Sequence, residues 1–569
     1  MNDEVSNSML KKIYDGVNKD GDSIGRVCKK TERVPGRIPE ITVSLLYIIL
    51  HIAISFFHEP WFDEAVAWQI AKCASIKDII FKLPHYEGHP PLWHLLLLPF
   101  AKLGCPYEFS LSLVSLLFAG AAMLLVIWKS PFPRIIRLLL PFTYFFFYQY
   151  GIVSRPYCVM MLAFVLAAIT FKDKDEKPWR FIFSLILLCF STAYGILFAG
   201  GITIAWLLGL LKRDGFRFLL NKRRTLALFC LLLTAVLLVM EIVPASDAYA
   251  QMAPQYSENR NSPFLCLAYT FFALPSDTCA TNIFAENNKL LFAYLDWIDI
   301  LPGMIIGIFI WSALIYFARK CNCLLGLILP YGMFAVFAAL KYMDMHHIGI
   351  VLLFFVFWAW CAAEMYDAAP INGTVFSLAR IGGVIFMIIS LFWGISASVR
   401  EINSVYGIGK KEAEFIAENH LDDFRIAVGF DAIYSRDGEN GSAEIAGYDL
   451  NHCKFTDGVL AYFDRNIFVN LNNGRDDMAF TYHKVLRPED APELIEELNS
   501  CGLPDVLFMP KNIEVIYKKI YNDDISYIPV FYNTAEHIWK SGVSSEMLSD
   551  IYVRTDLAEE LGLKGAIPQ

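Results

Sequence analysis

Pro91-Leu92-Trp93-His94-Leu95-Leu96-Leu97-Leu98-Pro99-Phe100-Ala101-Lys102-Leu103 decides the fold of this chain. Read as a membrane span, it would reverse the sidedness of everything that follows. As a helix it would cover only about 20 Å, against roughly 30 Å for a bilayer's hydrocarbon core, and Pro99 interrupts it. It therefore reads as an interfacial or re-entrant helix on one membrane surface.

On either side the chain is apolar enough to make this question matter. Its 569 residues are 56% hydrophobic and 18% charged, with mean hydropathy +0.44. That composition excludes disorder and argues against one soluble domain. Eleven runs read as spans: 39–57, 109–128, 135–150, 153–171, 180–195, 197–211, 225–243, 301–318, 322–340, 348–366 and 378–396. Several fall short of about 20 residues, and the division at Gly195 is weakly marked.

Charge tests this division independently. Of 32 Lys and Arg before residue 397, 24 fall on the side of the amino-terminal tail if 91–103 is not a span. They include Arg134, Arg137, Lys172, Lys174, Arg213, Lys222, Arg223 and Arg224. Eight fall opposite, Arg155 and Lys341 among them. The asymmetry places the tail (1–38) in the cytoplasm. The tail is too long and polar for a signal peptide, so the first span is expected to be an uncleaved anchor. Residues 39–396 form the membrane domain. Residues 397–569, with 16 basic against 30 acidic residues, form an outer domain. Runs such as 425–430, 466–470 and 505–509 read as strands and 410–419 and 490–500 as helices, giving a small, mostly parallel α/β sheet. The expected fold class is thus a polytopic α-helical membrane protein with a carboxy-terminal extracytoplasmic α/β domain. Nucleic acid is not an expected partner, because no basic, aromatic surface is encoded.

The cysteines carry little. Cys321-x-Cys323 lacks partners at zinc-ligand spacing, and Cys453 and Cys501 are the candidates for an outer disulfide. Asn440-Gly441-Ser442 fits a glycosylation acceptor on the outer side.

Chemistry concentrates in the outer loop 58–108. Trp61-Phe62-Asp63-Glu64-Ala65 opens a helix, and Tyr86-Glu87-Gly88-His89-Pro90-Pro91 precedes the short apolar segment. Adjacent helical residues point about 100° apart, so only one of Asp63 and Glu64 can address a given atom. The plain reading makes Asp63 the helix cap and Glu64 a partner of the positive helix end. The functional reading makes Asp63 a general base. Glu87 and His89 are held at a fixed height by the proline pair. His85 and His89 stand four apart, which admits a divalent metal with Asp63 or Glu87, although two loop histidines are weak evidence for one.

Arg155, in Ser154-Arg155-Pro156-Tyr157, is the lone basic residue at an outer helix junction. An arginine among apolar spans is paired or functional, and its planar fork suits a phosphate. The structural alternative is an ion pair with Asp63 or Glu87. Lys341, His346 and His347 form a further polar outer loop, suited to an anionic group or simply to headgroup-level snorkelling and a satisfied histidine pair.

The order Phe62-Asp63-Glu64-Ala65, Glu87-Gly88-His89-Pro90-Pro91-Leu92-Trp93, Ser154-Arg155-Pro156-Tyr157, Ala193-Tyr194-Gly195 resembles the polytopic GT-C glycosyltransferases. Within them it is most similar to the dolichyl-phosphate-mannose–protein mannosyltransferase-like group and the lipid A aminoarabinose transferases. The resemblance covers roughly residues 40–200, with 341–347 matching loosely. It implies a sugar moved from a polyprenyl-phosphate carrier to a lipid, glycan or protein acceptor at the outer face. It further implies Asp63 as base, Glu87 at the second acidic position, and Arg155 with Tyr157 and His89 near the donor. Many bacterial relatives carry a Glu before the arginine, where this chain has Ser154. A transporter or lipid flippase using Arg155 and Glu241 is the competing expectation, although no inverted repeat is evident. A receptor built on a degenerate transferase core is another.

Overall fold

The computed structural model describes residues 36–246, 248, 261–285, 290, 295–365, 374–429, 453, 455–481, 496, 498–509 and 525–566. Asp247, Tyr249, Tyr256, Glu258 and Arg260, the Asn440 acceptor and most of the expected helix 490–500 lie outside the described residues.

Helices dominate. In chain order they include α1 (Ile38–Ser55), α2 (Phe62–Cys73), α3 (Leu92–Lys102), α4 (Tyr107–Lys129), α5 (Tyr157–Phe171), α6 (Pro178–Ser191) and α7 (Ala193–Asp214). Then follow α8 (Lys222–Ile242), α9 (Trp297–Lys320), α10 (Leu324–Leu340), α11 (Gly349–Met365), α12 (Thr374–Asn403) and α13 (Lys410–Glu418). Among the described residues seven helical segments are long and apolar enough to cross a membrane, those of α1, α4, α7, α8, α9, α11 and α12. Four shorter apolar helices, α3, α5, α6 and α10, pack with them. The deciding segment is α3, 11 residues long. It lies against α2 and α4 and buries Trp93, His94, Leu97 and Ala101.

The expected span 135–150 is not one helix. Helix Arg134–Leu139 passes into a tight turn at Leu140–Phe142, Thr143 is extended, and Phe145–Ile152 is a fully buried π-helix. Pro141 cannot donate to a continuing ladder, which accounts for the break. The π-helix is a wide turn of the kind that recurs near functional sites. The break after α6 falls at Thr192 rather than Gly195; the Thr192 hydroxyl accepts from Gly195 N–H at 3.2 Å. Gly195 serves packing instead, because a Cβ there would lie 1.9 Å from the Leu188 carbonyl oxygen.

Polar groups collect at two ends of the helical body. At one, Glu40 in the first turn of α1 accepts from Arg134 Nε at 2.7 Å, and Asp175 pairs with Arg213 at 2.7 Å. At the other, the segments before α2, before α5 and before α11 converge under the carboxy-terminal domain. Between the two ends α8 leaves Leu226, Phe229, Leu232, Leu233, Val236 and Leu237 uncovered.

The carboxy-terminal sheet departs from the expected mostly parallel one. Among the described residues it has four strands, β1 (Ile426–Val428), β2 (Val506–Phe508), β3 (Tyr527–Trp539) and β4 (Gly542–Arg554), in the order β1-β2-β4-β3. Only β1 and β2 are parallel; β4 pairs antiparallel with both neighbours. The run 466–470 contributes a single bridge, Phe468 to Ile426. The long β3–β4 hairpin escaped the sequence reading because its apolar–polar alternation is broken by bulges at Pro529/Phe531 and His537/Ile538. Cys453 and Cys501 are both free thiols, the first against Met509 and the second donating to the Val469 carbonyl.

Candidate functional site

Asp63 lies in the first turn of α2, and the roles of the two adjacent acids are the reverse of the plain expectation. Glu64, fully buried, turns back to accept the Trp61 N–H at 2.8 Å, so Glu64 caps the helix. Asp63 is left to form an ion pair with Arg155, Oδ2 to Nη1 3.0 Å, with the arginine 13% and the aspartate 25% exposed. The expected Asp63–Arg155 pairing is therefore present, at a site still partly exposed.

Arg155 occupies the gap between the π-helix and α5, and Glu64 fixes its backbone: Glu64 Oε1 accepts the Ser154 N–H at 2.6 Å. The same carboxylate holds His58, whose Nε2 lies 3.1 Å from both Glu64 oxygens. On its far side His58 Nδ1 meets Glu401 Oε1 at 3.0 Å, and Tyr148 of the π-helix donates to the other Glu401 oxygen. A ring with a carboxylate at each nitrogen is an imidazolium. Burial opposes that charge, but Glu64 and Glu401 outweigh it and hold the His58 pKa well above the usual histidine range. His58, Glu401 and Tyr148 were missed in the sequence. His58 follows directly on the apolar run that opens the loop, and Glu401 lies in the last turn of α12, 343 residues later; nothing in their spacing joins them.

The loop before α11 supplies the opposite wall. Asp344 N–H donates to His347 Nδ1 at 2.8 Å, so the proton of the neutral ring sits on Nε2. That Nε2 is buried and has no hydrogen-bond partner among the described residues, and the same holds for the Tyr157 hydroxyl. The two rings are 5.9 Å apart, and Arg155 lies over the Tyr157 ring at 5.4 Å. The Tyr194 ring packs at a tilt against His347 at 4.7 Å, and its hydroxyl donates to the Tyr342 carbonyl at 2.7 Å. His346 is also buried, and its carbonyl accepts from Tyr150 at 2.7 Å. Asp63, Arg155, Tyr157, His346 and His347 thus come together from three distant segments.

His89 joins this wall electrostatically, within range of both His346 and His347. Gly88, at φ +65°, turns the chain between half-buried Glu87 and His89, a conformation that glycine adopts without strain. Glu87 is the last residue of the short helix Pro84–Glu87. Lys341 stands apart: it is exposed at the end of α10, outside the buried cluster. His85 does not converge on a metal position, since its Nδ1 is held by the Val243 carbonyl at 2.7 Å. Among the described residues no three His, Cys, Asp or Glu side chains group to hold a metal ion.

The carboxy-terminal hairpin roofs the site. His537 packs at a tilt against Trp61 at 4.5 Å, and Trp539 packs on Tyr144 and Phe145 at 5.7 and 6.0 Å. At the hairpin turn Lys540 reaches Asp277 Oδ1 at 3.0 Å and the carbonyls of Asp277 and Thr281 at 2.8 and 2.7 Å. Chemically, the arrangement offers one carboxylate and a set of donors (guanidinium, imidazole N–H, phenol) around one position. No family model, no curated protein and no solved structure matches the chain.

Proposed function

We propose that this protein is a membrane glycosyltransferase that moves a sugar from a polyprenyl-phosphate carrier to an acceptor hydroxyl at the outer membrane face, with inversion. The observation that carries the reading is the half-buried Asp63–Arg155 pair beside two buried donors without partners among the described residues, His347 Nε2 and the Tyr157 hydroxyl. Buried donors without acceptors are costly, and a phosphate would satisfy them.

The resting ion pair gives the reaction an order. A donor phosphate that engages Arg155 competes with Asp63 for the guanidinium and releases the carboxylate. Asp63 then takes the proton of the acceptor hydroxyl as its oxygen attacks the anomeric carbon. The bond from that carbon to the phosphate oxygen breaks, and the electron pair leaves on the carrier phosphate. Arg155, His347 N–H and Tyr157 O–H receive that charge, with His89 and His346 at the rim. Glu87 is the second acid of the site, and Lys341, exposed, would meet the carrier only at its periphery.

The eleven-span topology belongs to this reading, with the amino terminus in the cytoplasm and the carboxy-terminal domain outside, in a membrane of the bacterial cell envelope. The meeting of Glu40 with Arg134, and of Asp175 with Arg213, at the end remote from Asp63 supports it.

The test is transfer by membranes from labelled polyprenyl-phosphate sugars. Asp63→Asn and Arg155→Ala are each expected to lower the rate by about 10²–10³ with membrane insertion unchanged. Near wild-type transfer by either variant removes that residue from its role, and no transfer by wild type from any such donor ends the proposal.

A further inference from the structure

At the other end of the helical body a buried cation lacks an ion-pair partner among the described residues. Arg224, in the first turn of α8, is 8% exposed, and its Nε and Nη1 are buried without a hydrogen-bond partner. It forms no ion pair among the described residues. It belongs to the stripe Arg224, Ala227, Leu231 and Leu238 that α8 buries, mainly against α6. A guanidinium with two of its three nitrogens withdrawn from water and left without a partner is costly, so an anion is called for.

Two features of the surroundings specify its chemistry. Lys212, Arg217, Lys222 and Arg223 are exposed around the same helix start, while the nearby Arg213 is already paired with Asp175 and Asp214. Between α7 and the turn Gly215–Leu220 runs an apolar groove of about 270 Å³, lined by Ile204, Leu207, Leu208, Leu211, Phe216 and Phe218. The turn that walls the groove leads directly into the helix start. Asn221 N–H donates to the Phe218 carbonyl at 3.3 Å, the Asn221 side chain caps Arg224 N–H at 3.2 Å, and Thr225 donates to the Leu219 carbonyl at 3.0 Å.

We infer that this end of α8 is a binding site for one anionic phospholipid. Its phosphate is met by Arg224 with Lys222 and Arg223, and an acyl chain lies along the α7 groove. A soluble anion would use the cations but not the groove; a zwitterionic lipid would use the groove but carries no net charge for the exposed cations. The inference rests on the membrane reading and not on the transfer reaction.

The experiment uses the full chain purified in detergent and exchanged into phosphatidylcholine vesicles with or without a minor fraction of phosphatidylglycerol. Phosphatidylglycerol co-purifying with the protein and the thermal unfolding midpoint are both measured. Wild type is expected to retain phosphatidylglycerol selectively and to unfold at a higher temperature in its presence. Arg224→Gln is expected to weaken retention by about tenfold or more, the loss of one charge-assisted contact. Leu208→Trp, on the exposed groove wall, is expected to weaken it with the cations intact. Equal retention by wild type and Arg224→Gln overturns the inference. So does equal stabilisation by inorganic phosphate, which would mark a soluble-anion site, or the absence of any phosphatidylglycerol effect on wild type. Arg224→Lys keeps the charge and serves if Arg224→Gln does not fold; unchanged retention when its neighbours Lys222 and Arg223 are also neutralised overturns the inference equally.

Discussion

At the scale of single residues, the two adjacent acids of α2 divide their labour by direction. Glu64 points inward to Trp61 N–H, Ser154 N–H and His58, and Asp63 outward to Arg155. Sequence could state that only one of them addresses a given atom, but not which, because that depends on a histidine before the helix and a glutamate at the far end of the chain. Glu64→Gln keeps the shape of the cap but removes the charge facing His58. It is expected to destabilise the protein by about 3–5 kcal/mol, as breaking one side of a buried charge set does, readable in thermal or denaturant unfolding. The histidine also sets a pH dependence. Its folded pKa is raised, so its contribution is full below an unfolded pKa of about 6.5 and is lost as pH rises through the higher folded value. Glu59 acts in the same direction. Burial raises its carboxyl to about 7, with Lys410 and Lys411 opposing, so stability falls as pH rises from about 4.5 to 7. Unfolding of His58→Gln against wild type should therefore differ most at acidic to neutral pH and converge in alkali, and Glu59→Gln should remove the fall below pH 7. A difference that grows toward alkaline pH would contradict the imidazolium assignment.

At the scale of elements, legibility followed periodicity and length. Long apolar helices such as α4, α7, α8 and α9 were readable because their composition alone marks them. The segment 91–103, which charge asymmetry leads one to expect not to span, forms an 11-residue helix against the element that carries Asp63. The π-helix Phe145–Ile152 was not readable: an aromatic run has no period that separates wide from ordinary helical turns. Its position matters for the site, because it delivers Ser154 and Arg155 and is pressed by α11. A Cβ on Gly349 would lie 2.2 Å from the Phe145 ring, so α11 reaches the π-helix only through a glycine. Gly349→Ala is expected to cost about 1–3 kcal/mol by overpacking. Because His347 lies two residues before Gly349, labelled-donor transfer should fall further than Gly200→Ala makes it fall, whose Cβ would meet only the flexible end of Met333 at 3.4 Å. Equal transfer by the two variants would separate α11 packing from the site.

At the scale of the whole molecule, the acidic carboxy-terminal domain reads from sequence as a separate unit, and in space it is held to the helical body at several points. Lys410 pairs with Glu108 at 3.1 Å, Lys72 donates to the Phe463 carbonyl at 2.5 Å, and Trp539 donates to Asn282 at 2.8 Å. Another is the hairpin turn, where Lys540, 1% exposed at φ +53°, inserts beside Asp277 and under Trp393 and Trp539. Sequence could not pair Lys540 with Asp277, because 263 residues separate them and neither sits in a recognisable motif. The pair is buried on both sides, so its energetics are asymmetric. Removing one partner leaves a stranded charge, while replacing both by neutral groups of similar size can be nearly neutral. Lys540→Met leaves Asp277 with Tyr269 O–H and the N–H groups of Ile283 and Phe284 but no cation. It is expected to destabilise by about 3–5 kcal/mol and to expose the hairpin to limited proteolysis. Asp277→Asn alone strands the lysine and should do the same. The double variant Lys540→Met with Asp277→Asn should recover most of the loss, giving a coupling well above the ~0.5 kcal/mol within which distant sites add. Additive losses would mean that the hairpin is held by Trp539 on Tyr144 and Phe145 rather than by the ion pair. In that case Trp539→Ala, not Lys540→Met, would free the roof over Asp63.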